Sequence, residues 1–550
     1  MRENRKNNRK TDKRKVRDAE YTTYPEDKDL TAGQDHGTQQ NVRRRRKRRV
    51  EEAEAATSRI EDLFVPDTTK KIRTNRSMLH VGIILAALFI ALIGYIVKFT
   101  VYDSPTVITN PYNRRTSNLV EKITRGEIKS ANDKILAVTK KDDNGEEFRY
   151  YPYEDMFAHV VGYNTHGKSG LESAYNYELL KSHVNILRQF SDGAQEEKSQ
   201  GDTLLTTLDT RLQKAAYEAL GEHRGVVIAI SPSTGKVRAM VSKPDFNPND
   251  IADNWSDIND EGSSVLVNRA VQGLYPPGST YKLMTALSYI EQNPRTYQDF
   301  HYNCDGEAII DSVKIHCYNG EEHGKEDFTE AFAESCNTAF ATIGSKLNLQ
   351  EFRDLNDQCL FNRSIPFDLP VKKSQFVLDR KSSKSQVPQT AIGQGNTLMT
   401  PLHNALLISA VANDGILMKP ELTEGIESFD GHKVSTTKPE KIGRLIDSND
   451  NLALKKMLRK VVTEGTADDL DNDEYKVYGK TGTAENSGEN AHAWFIGFSE
   501  KEEKADLSVC VLVENSGKAS RYAVPIAKRM FESYYNNEMD KTYTNIENTN

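Results

Sequence analysis

Cysteine and tryptophan are scarce in this chain of 550 residues, which contains five Cys and two Trp. So few cysteines exclude a scaffold built from disulfides. No group of Cys and His residues has the spacing of a zinc ribbon or zinc finger, and we expect neither a metal nor a cofactor. Apolar residues make up 37%, or about 43% with the 33 glycines, slightly below the globular average. We therefore expect a segment that does not fold, although 24 Tyr, 19 Phe and long apolar runs exclude a fully disordered chain.

Positive charge is concentrated near the N-terminus. The whole chain has a net charge of −7, but residues 1–80 contain 22 basic and 14 acidic side chains. Residues 1–77 are polar and poor in aromatic residues, and we predict a disordered tail because they cannot bury enough apolar surface to offset their conformational entropy. The basic run at residues 43–49 leaves open a nucleic-acid or nuclear-targeting role. The apolar segment that follows favours a solvated tail beside an anionic membrane, with no nucleic acid as partner.

Residues 78–97 form a run of twenty residues with one His and no formal charge. At ~1.5 Å per residue, a helix of this length covers the ~30 Å hydrocarbon core of a bilayer, and we predict a transmembrane helix over residues 78–99. Lys98 follows the run, whereas four basic residues precede it, namely Lys70, Lys71, Arg73 and Arg76. This asymmetry predicts a single-pass protein of the cell membrane, with a cytoplasmic N-terminus and an extracellular remainder.

The remainder of the chain is predicted to form two folded parts. Residues 100–220 alternate short β-like stretches with polar turns, which indicates a small, mostly β accessory domain. Residues 221–535 begin and end with apolar strands and contain helices between them, whereas residues 536–550 form a polar tail. The predicted strands are 225–230, 236–242, 491–498 and 507–513, and two of the predicted helices are 281–290 and 402–412. This order predicts an α+β fold whose sheet is assembled from distant parts of the chain.

The first motif with a chemical signature is S-x-x-K, formed by Ser279 and Lys282 after a Pro-Pro-Gly turn. Apolar residues at helical spacing follow, so Ser279 is expected at the N-terminus of a buried helix, where unpaired N–H groups favour developing negative charge. Lys282 lies one turn further along, and an apolar setting lowers the pKa of such an amine so that it can act as a base toward the hydroxyl. A capping serine with an unrelated surface lysine remains the alternative for this common motif.

The second motif is S-x-N, formed by Ser335 and Asn337, and its serine lies 56 residues after Ser279. A hydroxyl and an amide at this spacing in a turn can face one site, where the hydroxyl relays protons and the amide holds a substrate amide. Capping of the apolar helix that follows is the alternative role for so short a motif.

The third motif is K-T-G-T, formed by Lys480, Thr481, Gly482 and Thr483. A glycine in a strand beside an ammonium and two hydroxyl groups indicates close approach of a ligand backbone, and these polar groups suit a carboxylate. An edge strand whose lysine discourages aggregation is the alternative. Taken together and in this order, the three motifs match the signature shared by serine β-lactamases and penicillin-binding proteins.

Over residues 110–535 the chain resembles the class B penicillin-binding proteins, the membrane-anchored D,D-transpeptidases that cross-link bacterial peptidoglycan. It is most similar to the penicillin-binding protein A group. Further stretches carry the resemblance: 125–128, 170–172, 206–209, 212–213, 268–270, 392–395, 400–402 and 412–415, the last three being similar to helices in the middle of the catalytic domain. The resemblance implies a transpeptidase domain of the β-lactamase and penicillin-binding-protein fold over 221–535, on a mostly β pedestal, or dimerisation-like, domain over 100–220.

The resemblance also implies the catalytic roles. Ser279 is expected to be the nucleophile that forms the acyl-enzyme, and Lys282 its general base. Ser335 and Asn337 are expected to assist proton transfer and to hold the substrate. The partners implied are peptidoglycan stem peptides that end in D-Ala-D-Ala, β-lactam antibiotics, which would be trapped by the same serine, and a polymerase of the SEDS glycosyltransferase family.

The resemblance assigns substrate binding to the residues of the third motif. Lys480, Thr481, Gly482 and Thr483 are expected to bind the terminal carboxylate of the stem peptide. The N–H groups of Ser279 and Thr483 are expected to form an oxyanion hole, in which the loss of one donor costs ~3–4 kcal/mol. An amine of a neighbouring strand would then resolve the acyl-enzyme and complete the cross-link.

The alternatives are a β-lactamase-like hydrolase, a β-lactam sensor and a non-catalytic scaffold for cell-wall assembly. No E-x-x-x-N sequence occurs between Asn337 and Lys480, so rapid hydrolysis of the acyl-enzyme is not expected. A glycosyltransferase domain is rejected, because the residues before the catalytic domain are too few to hold one beside the pedestal. Cys304 and Cys317 lie 13 residues apart and have two open interpretations, a disulfide outside the membrane or a structural role as buried thiols.

Overall fold

The structure is a computed structural model that describes residues 68–99, 119–183, 198–260, 262–486 and 490–536. Residues 1–67 of the predicted disordered tail and most of the polar tail after residue 535 lie outside the described residues. Residues 68–77, which were also predicted to be disordered, instead belong to the helix Thr68–Lys98. The described residues divide into two units, residues 68–99 and residues 119–536. In the first, helix α1 spans Thr68–Lys98, and its part Met78–Lys98 is long and apolar enough to cross a membrane, with a mean hydropathy of 2.5. The predicted apolar helix is therefore present.

The second unit contains both strands and helices, and most of its strand pairs are antiparallel, as in an α+β fold. Its strands are β1 Ile123–Thr124, β2 Ile128–Lys129, β3 Ile135–Lys141, β4 Glu147–Tyr150, β5 Ser199–Gln200, β6 Thr203–Thr206, β7 Gly225–Ile230, β8 Val237–Lys243, β9 His301–Cys304, β10 Glu307–Ile310, β11 Val313–His316, β12 Gly324–Asp327, β13 Ile416–Met418, β14 Thr423–Glu427, β15 Lys433–Thr436, β16 Lys441–Arg444, β17 Lys476–Ala484, β18 His492–Lys501 and β19 Lys504–Val513. Its α-helices are α2 Ala158–Val161, α3 Gly170–Ala174, α4 Thr210–Leu220, α5 Ile251–Ile258, α6 Arg269–Gln272, α7 Lys282–Gln292, α8 Phe328–Ala333, α9 Asn337–Lys346, α10 Leu349–Gln358, α11 Gln386–Ala391, α12 Pro401–Ala412, α13 Ser448–Thr463 and α14 Ala519–Tyr535.

The central sheet has five antiparallel strands in the order β17-β18-β19-β7-β8. Every residue of β7 is buried, and helices α4, α6 and α12 pack against this strand. Helices α4 and α14 pack against each other; α4 also contacts β7 and β8, and α14 contacts β17, β18 and β19. Helix α12 packs against β7, β18 and β19. All twelve residues of α12 are buried, as expected for a helix that is apolar on all sides. The prediction of an α+β fold with a sheet built from both ends of this part of the chain is confirmed.

A second sheet has six strands in the order β15-β14-β6-β2-β3-β4. Strands β2, β3, β4 and β6 come from the predicted pedestal, whereas β14 and β15 come from the middle of the predicted transpeptidase part. The boundary between the pedestal and the transpeptidase domain near residue 220 remains a prediction. Strand β6, before this boundary, pairs with strand β14, after it, through backbone hydrogen bonds.

Two of the stretches that carried the family resemblance contain turns where helices were expected. In the stretch 412–415 the helix α12 ends at Ala412, and residues 413–415 form a turn in which Asp414 and Gly415 adopt positive φ. The resemblance assigns residues 392–395 to a helix, but they form the turn after α11, because Gly393 and Gly395 both adopt positive φ. Residues 400–402 do begin a helix: Thr400 caps α12 by accepting a hydrogen bond from the His403 N–H.

A buried ion cluster lies within the predicted pedestal. Arg125 and Arg149 each donate through Nε to the carboxylate of Glu172, at 2.6 Å in both cases, and Glu172 is fully buried. Burial acts to raise the pKa of Glu172, but the charges and hydrogen bonds of the two arginines outweigh it and leave the pKa below its ordinary value. The two sequence stretches that resemble the family's pedestal, 125–128 and 170–172, therefore meet in this cluster.

We predict that Glu172→Gln destabilises the full chain by about 3–5 kcal/mol, because it leaves two arginines buried without a counter-charge. Since the folded-state pKa of Glu172 is depressed, its stabilisation is present above the unfolded pKa of about 4.3 and is lost as the pH falls below it. Thermal unfolding of the detergent-solubilised protein at neutral and acidic pH measures both effects. The exposed Glu146→Gln is the matched control, and equal stability of the two variants at neutral pH would contradict the prediction.

Candidate active site

Ser279 lies in a short 3₁₀ helix, Gly278–Tyr281, which leads directly into α7. Gly278 has a φ of +54°, and its N–H donates to the carbonyl of Gly393 at 2.9 Å. Gly393 has a φ of +75°, and a Cβ there would lie 2.0 Å from the Gly278 carbonyl oxygen. The indole N–H of Trp494 donates to the Pro276 carbonyl at 3.2 Å. Two glycines and one tryptophan therefore hold the loop that presents the serine.

The three sequence motifs meet at one open cavity of about 940 Å³. Its lining includes Ser279 from the first motif, Ser335 and Asn337 from the second, and Thr481 and Thr483 from the third. Because these residues lie up to 204 positions apart in the chain, their meeting is a product of the fold. The cavity has the size and mixed polar and apolar lining of a ligand site.

Lys282 joins the first motif to the second. Its side chain is fully buried, and its Nζ donates to the carbonyl of Ser335 at 2.6 Å and to Oδ1 of Asn337 at 2.7 Å. The same Nζ lies 3.4 Å from the hydroxyl oxygen of Ser335. Burial lowers the pKa of Lys282 to about 8, because the charged form is separated from water. An amine with this pKa is partly neutral near pH 7 and can accept a proton.

The second motif lies at the junction of two helices. Helix α8 ends before Ser335, which adopts a φ of +61°, and the N–H of Cys336 donates back to the Ala331 carbonyl at 2.9 Å. This arrangement ends a helix, and glycine usually occupies the position of Ser335. A non-glycine residue there costs on the order of 1–3 kcal/mol, and such strain clusters at functional sites. Asn337 begins α9, and its amide donates to the carbonyl of His316 at 3.0 Å.

The third motif lies on β17, the edge strand of the central sheet, which packs against the 3₁₀ helix of Ser279. A Cβ on Gly482 would lie 3.0 Å from the Thr280 side chain and 3.2 Å from the Pro277 carbonyl, so glycine permits this approach. Because β17 is an edge strand, one row of its backbone N–H and C=O groups is free of strand partners and can pair with an extended peptide.

Lys480 is fully buried beneath the cavity. Its Nζ donates to the Thr481 carbonyl at 3.2 Å. Burial and the nearby charge of Lys282 lower the pKa of Lys480 well below its ordinary value. The threonine hydroxyl that follows it is oriented by Thr466, since the Oγ1 atoms of Thr481 and Thr466 lie 2.6 Å apart. The structure thus brings all eight predicted site residues to the walls of the cavity or directly behind them.

Sequence reasoning missed several residues that complete the site. Thr466 orients Thr481, and the backbone carbonyl of His316 holds Asn337. Gln389 and Gln394 line the cavity from the turn around α11. No pattern in the sequence marks Thr466 or His316, because each acts through a single contact with a residue distant in the chain.

Comparison with known proteins agrees with this geometry. The model of the penicillin-binding protein transpeptidase domain matches residues 225–532, and that of the penicillin-binding protein A dimerisation domain matches residues 125–204. The chain therefore belongs to the penicillin-binding protein transpeptidase family, as its motifs predicted.

Relatives and solved structures place the chain near one group of the family. It is 29% identical to the peptidoglycan D,D-transpeptidase PbpA of Mycolicibacterium smegmatis over 80% of this chain and 94% of the relative. It is 27% identical to PbpA of Mycobacterium tuberculosis over 84% of this chain and 99% of the relative. The structure of penicillin-binding protein A from M. tuberculosis as an imipenem acyl-enzyme complex aligns with a TM-score of 0.70 and 27% identity, covering 76% of this chain and all of that one. The predicted resemblance to this group is confirmed.

We predict that Gly393→Ala destabilises the protein more than Gly395→Ala does, by a further ~1–3 kcal/mol. Both glycines have positive φ, at +75° and +72°, so both substitutions carry the same backbone cost. Only at Gly393 would the new methyl group meet backbone within 2.0 Å, whereas the nearest atom to Gly395 is 3.6 Å away. Thermal unfolding of the two variants measures the difference, and equal loss in both would show that the contact with the Ser279 loop is unimportant.

Proposed function

We propose that the protein is a peptidoglycan D,D-transpeptidase that forms an acyl-enzyme on Ser279. The observation that carries the proposal is the convergence of three motifs on one cavity, with the Lys282 amine held between Ser335 and Asn337. The PbpA relatives are named for this activity. Among the described residues the hydroxyls, amide and buried amines that line or support this cavity are the groups that acyl transfer requires.

Acylation begins with proton transfer. The neutral amine of Lys282 accepts the proton of the Ser279 hydroxyl as its oxygen attacks the carbonyl carbon of the penultimate D-Ala. Negative charge develops on the carbonyl oxygen, and the N–H groups of Ser279 and Thr483 would stabilise it. The C–N bond to the terminal D-Ala then breaks, and the leaving amine takes a proton through the hydroxyl of Ser335, which lies 3.4 Å from the Lys282 amine.

Deacylation reverses the proton path with a different nucleophile. The amino group of a neighbouring stem peptide attacks the ester carbon, gives a proton to the Lys282 amine, and displaces the Ser279 oxygen, which takes a proton back. The substrate backbone would lie along the edge strand β17, where Gly482 allows close approach. Its terminal carboxylate would be bound by the hydroxyls of Thr481 and Thr483, with the Lys480 amine behind them.

The cellular arrangement forms part of the proposal. The helix Met78–Lys98 would anchor the protein in the cell membrane, and the excess of basic residues before it favours a cytoplasmic N-terminus and an extracellular catalytic domain. Residues 100–220 would form the pedestal and residues 221–535 the transpeptidase domain. A polymerase of the SEDS family is the partner that the resemblance suggests, because cross-linking requires newly polymerised strands.

We predict that Ser279→Ala abolishes covalent labelling of the purified protein by a fluorescent penicillin. The substitution removes the only oxygen that would form the acyl bond. Ser520→Ala is the matched control, because Ser520 lines the same cavity, and it should label like the wild type. Persistent labelling of Ser279→Ala would remove this residue from the nucleophile role. Rapid loss of the label from the wild type would favour the β-lactamase-like alternative. A wild-type protein that is folded but is not labelled would favour the non-catalytic scaffold.

We predict that Lys282→Met slows acylation by about 10²–10⁴-fold, because the general base is lost. In the wild type the base form becomes populated as the pH rises toward the pKa of about 8 of Lys282, so the acylation rate should rise with pH and level off above that value. Stopped labelling reactions at a series of pH values measure the profile. Lys314→Met, at another lysine of the cavity lining, should keep the wild-type profile. A profile that is flat across this range would refute the role of Lys282 as base.

A further inference from the structure

Four potential metal ligands lie together directly behind the second motif. They are Cys304, Cys317, His323 and Cys336, and their ligand atoms all lie within 4.8 Å of one another. The three cysteines are buried and His323 is half-buried. The roles proposed above for the cavity residues do not use any of these four side chains.

Three of the distances within this cluster are close to the edges of a tetrahedron around one metal ion. The sulfur atoms of Cys304 and Cys317 are 3.6 Å apart, and those of Cys317 and Cys336 are 3.9 Å apart. The Nδ1 of His323 lies 3.4 Å from the sulfur of Cys304. Zinc bonds of ~2.3 Å to sulfur and ~2.0–2.1 Å to nitrogen give tetrahedral edges of about 3.8 Å between two sulfurs and about 3.6 Å between sulfur and nitrogen.

The four ligands come from different elements, so a metal would join them. Cys304 ends β9, Cys317 follows β11, and His323 precedes β12. Cys336 caps the N-terminus of α9, where its sulfur accepts a hydrogen bond from the Ala339 N–H at 3.4 Å.

The hydroxyl group of Thr338 contacts two of the cysteine sulfurs in the cluster. The Oγ1 of Thr338 donates to the sulfur of Cys304 at 3.3 Å and lies 3.4 Å from the sulfur of Cys336. Hydrogen bonds from outside the ligand set are typical of metal sites, where they orient the ligands. A disulfide between Cys304 and Cys317 would use two of the four groups and leave His323 and Cys336 without a role.

We propose that Cys304, Cys317, His323 and Cys336 bind one Zn²⁺ ion as a structural site. Three thiolates and one imidazole in tetrahedral arrangement are a donor set that zinc prefers, and the set is closed, with no position left for substrate. Because Cys336 lies between Ser335 and Asn337, the ion would fix the turn that holds the Lys282 amine. Binding of the metal does not depend on the proposed transpeptidase activity, and its test reads the metal itself.

The test is the metal content of the full chain, purified in detergent without a polyhistidine tag from cells supplied with zinc. We expect about one zinc ion per chain, measured by mass spectrometry of the elements. Cys317→Ser and His323→Ala should each reduce zinc to background. Cys359→Ser and Cys510→Ser are matched controls, since both cysteines are buried and neither belongs to the cluster, and they should retain it.

A second measurement applies even if the cluster variants fail to fold. The wild-type protein is stripped with a chelator and titrated with Co²⁺, and we expect the intense visible bands of tetrahedral cobalt with a thiolate charge-transfer band. Zinc-free protein that also gives no such spectrum would overturn the proposal. Zinc that persists in Cys317→Ser and His323→Ala alike, or a Cys304–Cys317 disulfide found by mass analysis of the native chain, would overturn it as well.

Discussion

The burial of two lysine amines beside one another is the constraint around which the catalytic cavity is arranged. Lys282 and Lys480 are both fully buried, and the charge of Lys282 helps to lower the pKa of Lys480. A buried ammonium is stable only with hydrogen-bond acceptors, and Lys282 has two close ones where Lys480 has a single backbone carbonyl. We therefore expect that the two amines are not both in the charged ammonium form at the same time. A bound substrate carboxylate would restore charge to Lys480, which in turn would favour the neutral, basic form of Lys282.

One of the two acceptors of Lys282, the Ser335 carbonyl, belongs to a residue with a strained backbone. Ser335, whose carbonyl accepts from the amine, adopts a φ of +61° in a helix-ending turn that usually contains glycine. Glycine at this position would relieve the strain but would remove the hydroxyl that lies 3.4 Å from the amine. Serine at a glycine position is thus explained by the cavity and not by the stability of the helix end.

Sequence patterns predicted those parts of the protein that depend on contiguous residues. The apolar strands β7 and β19, the buried helix α12 and the three short motifs were all predictable, because each has a local period or spacing. The completion of the pedestal sheet by β14 was not, since it depends on a strand that lies more than 200 residues after β6. The Thr466 hydroxyl and the His316 carbonyl also escaped prediction, because a single long-range hydrogen bond leaves no pattern in a sequence.

The cluster of three cysteines and one histidine could not be predicted from the sequence either, because its members are distant in the chain. Zinc fingers and ribbons are recognisable because ligands two to four residues apart share one turn, whereas 13, 6 and 13 residues separate the four ligands here. Their proximity arises only when β9 pairs with β12 and α9 packs beneath them. The short strand pairs β9–β12 and β10–β11, which carry or adjoin three of the ligands, have few buried residues of their own, so packing alone secures them weakly. A metal ion that joins these strand pairs to Cys336 would give the turn between α8 and α9, which contains the strained backbone of Ser335, a rigid support beside the cavity.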